Sequence, residues 1–234
     1  MDATALRREL AAQAPLIGPS LLACDFANVE REVRAVEEAG ARILHLDIMD
    51  GHFVPNLSFG LPVVEAVRRV TDLPLDVHLM ISNPAQYLQA FRRAGADLIT
   101  FHVEACPDAS SLLGDIHETG ALAGVAISPP TPIQTVEPLL GACDLVLVMT
   151  VMPGFGGQAF QPQTIDKVRW VREHRPEGTL ISVDGGINGE TITPCAAAGA
   201  DLFVVGTGLF GHPDYRQRYA YLRDLAHSAV AEKV

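Results

Sequence analysis

The chain has 234 residues, more than the roughly 150 of a common domain and close to the ~250 of one α/β barrel, so length alone leaves one large domain or two small ones. With 48% hydrophobic and 19% charged residues, its composition is that of a globular protein with a sizeable core, which excludes disordered and fibrous classes. The formal charge of −11 removes the basic field that a nucleic-acid backbone or an anionic membrane surface would need.

Residues 1–15, MDATALRRELAAQAP, carry an acid at position 2 and no apolar run of signal-peptide length. They read as an N-terminal extension, either an extra helix or a frayed end. Nothing later approaches the ~18 apolar residues of a membrane span. Cysteines at 24, 106, 143 and 195 are too far apart for a CxxC metal or redox site and too few for a disulfide scaffold. The expectation is a soluble, reduced, cytoplasmic protein with no nucleic-acid or membrane partner.

From residue 16 onward, β-rich apolar runs alternate with amphipathic helical stretches. The expected strands are LIGPSLL (16–22), RILHLDI (42–48), LPLDVHL (73–79), DLITFHV (97–103), LAGVAI (122–127), DLVLVMT (144–150), TLISVDG (179–185) and DLFVVG (201–206). Between the first two, Val29, Val33 and Val36 repeat at helical spacing opposite Glu30, Arg31, Arg34, Glu37 and Glu38, and Gly40 closes the helix. The joint recurs: AGAR (39–42), AGAD (94–97) and AGAD (198–201) each end a helix on glycine and enter a strand at once. Eight such units predict a single (β/α)8 TIM barrel, with 1–234 as one domain. An open doubly wound sheet is the alternative, but it would carry a GxGxxG turn after its first strand, and SLLACDF (20–26) has no glycine.

In a barrel of this kind the active site lies at the C-terminal ends of the strands. Polar residues gather there: Ser20 after the first strand, His45 and Asp47 on the second, His78 on the third, Asp184 on the seventh, and Gly206 and Thr207 after the eighth. His45, Leu46 and Asp47 form a period-2 pattern, so both polar side chains face the barrel mouth, where a polar group needs a partner or a task. One barrel histidine alone is equally well explained by a structural hydrogen bond. Two imidazoles and two carboxylates converging from three strands suit one divalent ion, Zn²⁺ first, with Fe²⁺, Mn²⁺ or Co²⁺ as alternatives. His102 and Glu104 also alternate on the fourth strand and read as supporting or structural, because the set is complete without them. His52, His117, His174 and His212 fall in loops or on helices and carry no expected role. Two glycine-rich turns, MPGFGGQAF (152–160) and GTGLF (206–210), follow the sixth and eighth strands, where barrels hold phosphate on backbone N–H groups.

The segments PSLLACDF (19–26), HLDIMDGHFVPN (45–56), DVHLM (76–80), MTVMPGFGGQAF (149–160), VDGGI (183–187) and VVGTGLF (204–210) closely resemble those of ribulose-phosphate 3-epimerases. The resemblance runs from about residue 16 to the C-terminal helix. It implies a metal-dependent TIM barrel that interconverts D-ribulose 5-phosphate and D-xylulose 5-phosphate, in the pentose phosphate pathway or the Calvin cycle, and that forms a homo-oligomer. It further implies His45, Asp47, His78 and Asp184 as metal ligands, and Asp47 and Asp184 as the acid–base pair working through an enediolate. Ser20, His78, Gly154, Phe155, Gly156, Gly157, Gly185, Gly186, Gly206 and Thr207 would contact the substrate. Met49, Met80 and Met149 match methionines packed beside the reacting carbons, a role compatible with plain core packing. There are two departures. Thr207 stands where the family usually has Ser, and ISPPTP (127–132) replaces an asparagine-containing turn, so no site residue is expected from that turn.

Other phosphate-binding barrels fit less well. Schiff-base aldolases need a lysine in the barrel mouth, whereas Lys167 falls in a helix and Lys233 in the C-terminal tail. The hexulose-phosphate synthase and orotidine-phosphate decarboxylase group carries Asp-x-Lys on the third strand, where this chain has Asp76, Val77 and His78. A 3-epimerase of a six-carbon ketose phosphate such as allulose 6-phosphate would share the same residues and is the nearest competitor. A non-catalytic sugar-phosphate binder would have no need of two carboxylates beside a metal.

Overall fold

Val, Ile, Leu and Phe at alternate strand positions, with apolar helix faces following each strand, can be buried only if the sheet is covered on one side and closed on itself on the other. The computed structural model, which describes residues 2–231, realises this arrangement. Its strands are β1 (Leu16–Pro19), β2 (Leu44–Met49), β3 (Leu75–Met80), β4 (Leu98–His102), β5 (Leu122–Ile127), β6 (Leu145–Met149), β7 (Leu180–Asp184) and β8 (Leu202–Val205). The helices are α1 (Ala3–Gln13), α2 (Val29–Glu38), α3 (Leu61–Arg68), α4 (Leu88–Ala94), α5 (Ala109–Glu118), α6 (Ile165–His174), α7 (Ile192–Ala198), α8 (Thr207–Phe210) and α9 (Tyr215–Ala231). Between β5 and β6 the chain uses a 3₁₀ segment, Ile133–Leu139, which carries Pro138. No helix among the described residues is long and apolar enough to cross a membrane.

Each strand from β2 to β8 pairs in parallel with the next, and β1 pairs with β8 from Leu16 opposite Leu202 to Pro19 opposite Val205. A single bridge between Ser20 and His45 joins β1 to β2 and closes the ring. The fold is therefore a (β/α)8 TIM barrel and not the doubly wound sheet. The first strand is shorter than expected: it stops at Pro19 instead of running to 22, and Leu21–Ala23 turns into a 3₁₀ segment that buries Leu21.

Two apolar layers result. Outward strand residues such as Val77, Phe101, Val125 and Phe203 pack under the helices, while Leu98, Leu122, Leu145, Leu180 and Leu202 fill the barrel's interior. The N-terminal extension is an ordered helix. Asp2 caps α1 by accepting the Thr4 N–H at 2.8 Å, and Leu6 and Leu10 join the interior leucines. All four cysteines are free thiols.

One device recurs at the strand entrances. Asp97, Asp144 and Asp201 each precede an even-numbered strand and accept a backbone N–H from the strand before it: Leu75 at 3.1 Å, Ala123 at 2.9 Å and Ile181 at 2.9 Å. Each also meets a guanidinium: Arg68 and Arg92 at Asp97, Arg7 at Asp144, and Arg175 at Asp201. Two of these aspartates end the AGAD segments, so one sequence element stops a helix and ties two strands together. Replacing Asp201 with Ala leaves the Ile181 N–H without its side-chain acceptor and the Arg175 guanidinium with only the Thr179 carbonyl, and we expect urea denaturation to record a loss of about 1–3 kcal/mol. A variant as stable as wild type would show that this contact contributes no net stability.

Candidate active site

Alternation on β2 and β3 turns His45, Asp47, Asp76 and His78 into the barrel, and all four are almost fully buried. Asp184, the last residue of β7, approaches from the opposite wall. One ligand atom from each of His45, Asp47, His78 and Asp184 lies within 4.8 Å of the others. Asp47 is central. Its Oδ1 faces His45 Nε2 at 3.2 Å and His78 Nδ1 at 3.0 Å, and its Oδ2 accepts the Ser20 hydroxyl at 2.6 Å. Asp184 Oδ2 lies 3.9 Å from the same His78 nitrogen.

The chemistry of this donor set fits a cation. His45 Nδ1 donates to Asp76 Oδ2 at 2.7 Å, which aims the Nε2 lone pair at the carboxylate oxygen of Asp47. An imidazole lone pair and a carboxylate oxygen so close repel each other unless a proton or a metal ion lies between them. The electrostatics of the protein without metal show the same demand. Burial disfavours the charged form of His45, yet Asp47 and Asp76 outweigh it and hold its pKa well above the ordinary value. Burial acts to raise the Asp47 carboxyl, but the charge of His45 beside it holds it well below the usual range. Burial, aided by the negative charge of Asp47, pushes Asp184 up to about 7. The two aspartates are thus driven apart in proton affinity.

A cleft of about 290 Å³ opens above the cluster. Ser20, Asp47, Asp184, Gly206 and Thr207 line it, as do Met49, Met80, Met149 and Met152 and the Gly154–Gly157 turn with Phe155. His45 and His78 do not reach the surface of the cleft and lie behind the aspartates. Gly185 and Gly186, also on the wall, both have positive φ (116° and 66°). A Cβ at Gly185 would meet the Val151 backbone nitrogen at 2.9 Å, and one at Gly186 the Phe160 nitrogen at 2.9 Å. These two positions therefore require glycine. Beside them α8 begins at Thr207, where the first N–H groups of a helix have no partner within it. No lysine or arginine lines the cleft among the described residues. Lys167 turns its ammonium to the Ser128 and Thr131 carbonyls, and Lys233 lies outside the described residues.

Two residues emerge that sequence reasoning did not single out. Asp76, the carboxylate behind His45, follows the same period-2 signal as His45 and Asp47, and its pairing with His78 on β3 made it findable. Asn56 gave no such signal. It lies in the loop after β2 and donates from Nδ2 to the Gly154 carbonyl at 2.7 Å, which joins that loop to the glycine-rich turn after β6. Asp50 shapes the Asn56 loop by accepting the backbone N–H groups of His52 and Phe53 and both the N–H and hydroxyl of Ser82.

A (β/α)8 barrel with buried carboxylates and imidazoles at the C-terminal ends of its strands is the architecture of a barrel enzyme. More narrowly, the chain belongs to the ribulose-phosphate 3-epimerase family, whose model matches residues 16–210. It is 46% identical over 211 residues to the ribulose-phosphate 3-epimerase of Bacillus subtilis, covering 88% of this chain and 97% of that one. It is 47% identical over 218 residues to the ribulose-phosphate 3-epimerase of Mycobacterium bovis, covering 92% and 94%. Among solved structures, the 3-hexulose-6-phosphate synthase of Salmonella typhimurium superposes with a TM-score of 0.70 at 17% identity, covering 92% of this chain and 99% of that one, a likeness of fold alone.

The raised Asp184 sets a pH dependence for the metal-free protein. Its carboxyl has an unfolded pKa near 3.8 and a folded pKa of about 7, so between these values the folded state binds more protons and stability falls as pH rises. Asp184→Asn removes that titration. Denaturation of metal-free protein should show the variant gaining on wild type between pH 5 and pH 8, whereas a constant difference across that range would contradict the assignment.

Proposed function

We propose that the chain interconverts D-ribulose 5-phosphate and D-xylulose 5-phosphate by moving the proton on C3 between Asp47 and Asp184. The observation that carries this reading is the pairing of two carboxylates on different walls of one cleft, Asp47 buried and Asp184 partly exposed, gathered with His45 and His78 so that one ligand atom of each lies within 4.8 Å of the others. C3 is α to the C2 carbonyl, and inversion there requires removal of a proton from one face and its return on the other, which a single base does poorly. Asp47, held ionised, suits the base. Asp184, on the other wall of the cleft, suits the acid, and the roles exchange in the reverse direction. Ser20 holds the second oxygen of Asp47 and limits its rotation.

His45, Asp47, His78 and Asp184 would hold one divalent ion, with Zn²⁺ the best match to two imidazoles and two carboxylates. Bound there, the ion supplies Lewis-acid stabilisation of negative charge on the substrate oxygens. The phosphate would rest on backbone N–H groups around Gly185, Gly186, Gly206 and Thr207. The turn carrying Phe155, anchored by Asn56, would cover the sugar and keep water from the enediolate. Support for the pentulose substrate comes from the names of the relatives, and for the reaction type from the carboxylate pair.

The direct assay follows conversion of ribulose 5-phosphate to xylulose 5-phosphate, with allulose 6-phosphate as the competing substrate. Asp47→Asn and Asp184→Asn should each lower kcat by at least about 10²–10⁴-fold while circular dichroism stays unchanged. Near-wild-type turnover in either variant would end the two-base scheme. Removal of divalent ions by a chelator should abolish activity and Zn²⁺ restore it; full activity in demetallated protein would remove the metal from the reaction.

A further inference from the structure

Behind His78 lies a second pair of polar residues that the reaction scheme leaves without a task. His102, the last residue of β4, is fully buried, and its Nε2 lies 2.9 Å from Nε2 of His78. The two ring planes are inclined by 28° with centroids 5.0 Å apart, so the rings meet nearly end to end through these nitrogens. On the far side, His102 Nδ1 faces Glu104 Oε2 at 3.1 Å, with the Ser128 hydroxyl farther off at 3.4 Å. Glu104 is held from the opposite direction by the turn after β5: its Oε1 accepts the Ser128 N–H at 2.8 Å and the Thr131 hydroxyl at 2.6 Å.

We propose that Glu104 and His102 are positioning residues that fix the tautomer of His78 and thereby present its Nδ1 lone pair to the metal cluster. The wiring follows from counting donors. Glu104 accepts two hydrogen bonds on one oxygen, so as a carboxylate its other oxygen also accepts, and the proton on Nδ1 of His102 points to it. An imidazole with that proton has a bare Nε2. Only one proton fits between two ring nitrogens 2.9 Å apart, so it is carried by His78 Nε2. His78 then keeps Nδ1, the atom 3.0 Å from Asp47 Oδ1, free to ligate. Asp76 performs the equivalent service for His45 through a single carboxylate, whereas His78 needs a two-residue chain. The anchor of that chain is the 127–132 turn in which this sequence departs from the family's usual form.

This inference rests on the metal reading above, and the test separates the two. In Glu104→Gln the Ser128 N–H still requires an acceptor, so the amide oxygen stays at the Oε1 position and the NH₂ faces His102. Each proton in the chain then reverses: His102 carries Nε2–H, His78 accepts it, and His78 Nδ1 becomes protonated and blocked. The hydrogen-bond count is nearly unchanged, so a purely structural role predicts little effect. We expect Zn²⁺ added to metal-free protein, measured against a competing chelator, to bind Glu104→Gln about 10–100-fold more weakly than wild type, while the melting temperature of the metal-free proteins stays the same. Long-range ¹H–¹⁵N spectra should show a proton on His78 Nε2 in wild type and its loss in the variant. Wild-type-like Zn²⁺ affinity in Glu104→Gln, or a wild-type His78 without a proton on Nε2, would overturn the proposal. Wild-type protein that binds no Zn²⁺ would overturn the metal reading instead, and the Nε2 proton would still decide the wiring.

Discussion

The Asp47 carboxylate is asked for by three groups at once: two imidazole nitrogens at one oxygen and the Ser20 hydroxyl at the other. In a buried site this is affordable only with positive charge nearby, because an isolated ionised carboxylate away from water is very costly. The arrangement of the mouth follows from that constraint. Asp76 orients one imidazole, the His102 chain meets the other, and Asp184, facing the negative charge of Asp47, has its proton affinity raised. The Ser20 contact also crosses the thin junction between β1 and β2, so the central carboxylate of the cluster helps to close the barrel.

An acidic chain for an anionic sugar phosphate is at first sight a mismatch. The net charge of −11 describes a surface, and the cleft is governed by what lies within a few ångströms. There the wall is built from glycines with exposed amide groups and from the start of a short helix, which bring partial positive charge without a mobile cationic side chain. The shape of that wall is set by Gly185 and Gly186, whose positive φ and close backbone neighbours exclude any side chain.

Most of the fold could be read from the sequence because each strand repeats a simple pattern. Period-2 alternation located the eight strands to within about two residues at most ends, and it placed His45, Asp47 and His78 on inward faces. The glycine at each helix end located the joints. What escaped was information that depends on three dimensions. Pro19 ends β1 early because the chain must turn there to bring Ser20 to Asp47 on β2, and no local signal marks that need. Asn56 acts on Gly154, 98 residues away. His102 and Glu104 showed the right alternation, but whether they matter depends on a contact with a neighbouring strand. The serine in the 127–132 turn gained meaning only when its N–H was seen on Glu104.

The aspartates at the entrances to β4, β6 and β8 make the natural repeat of this barrel a pair of strands, and they divide the ring into quarters. Three quarters carry the tie. In the fourth, the equivalent position before β2 is Arg42, which has the wrong charge to accept a backbone N–H. That untied quarter is also the one in which β1 and β2 share a single bridge. The barrel is therefore a horseshoe of three laced quarters whose open ends are joined by the Ser20–His45 bridge and by Ser20 on Asp47. The seam with the fewest backbone bonds thus runs beside Asp47, and the hydrogen bond from Ser20 to that carboxylate spans it.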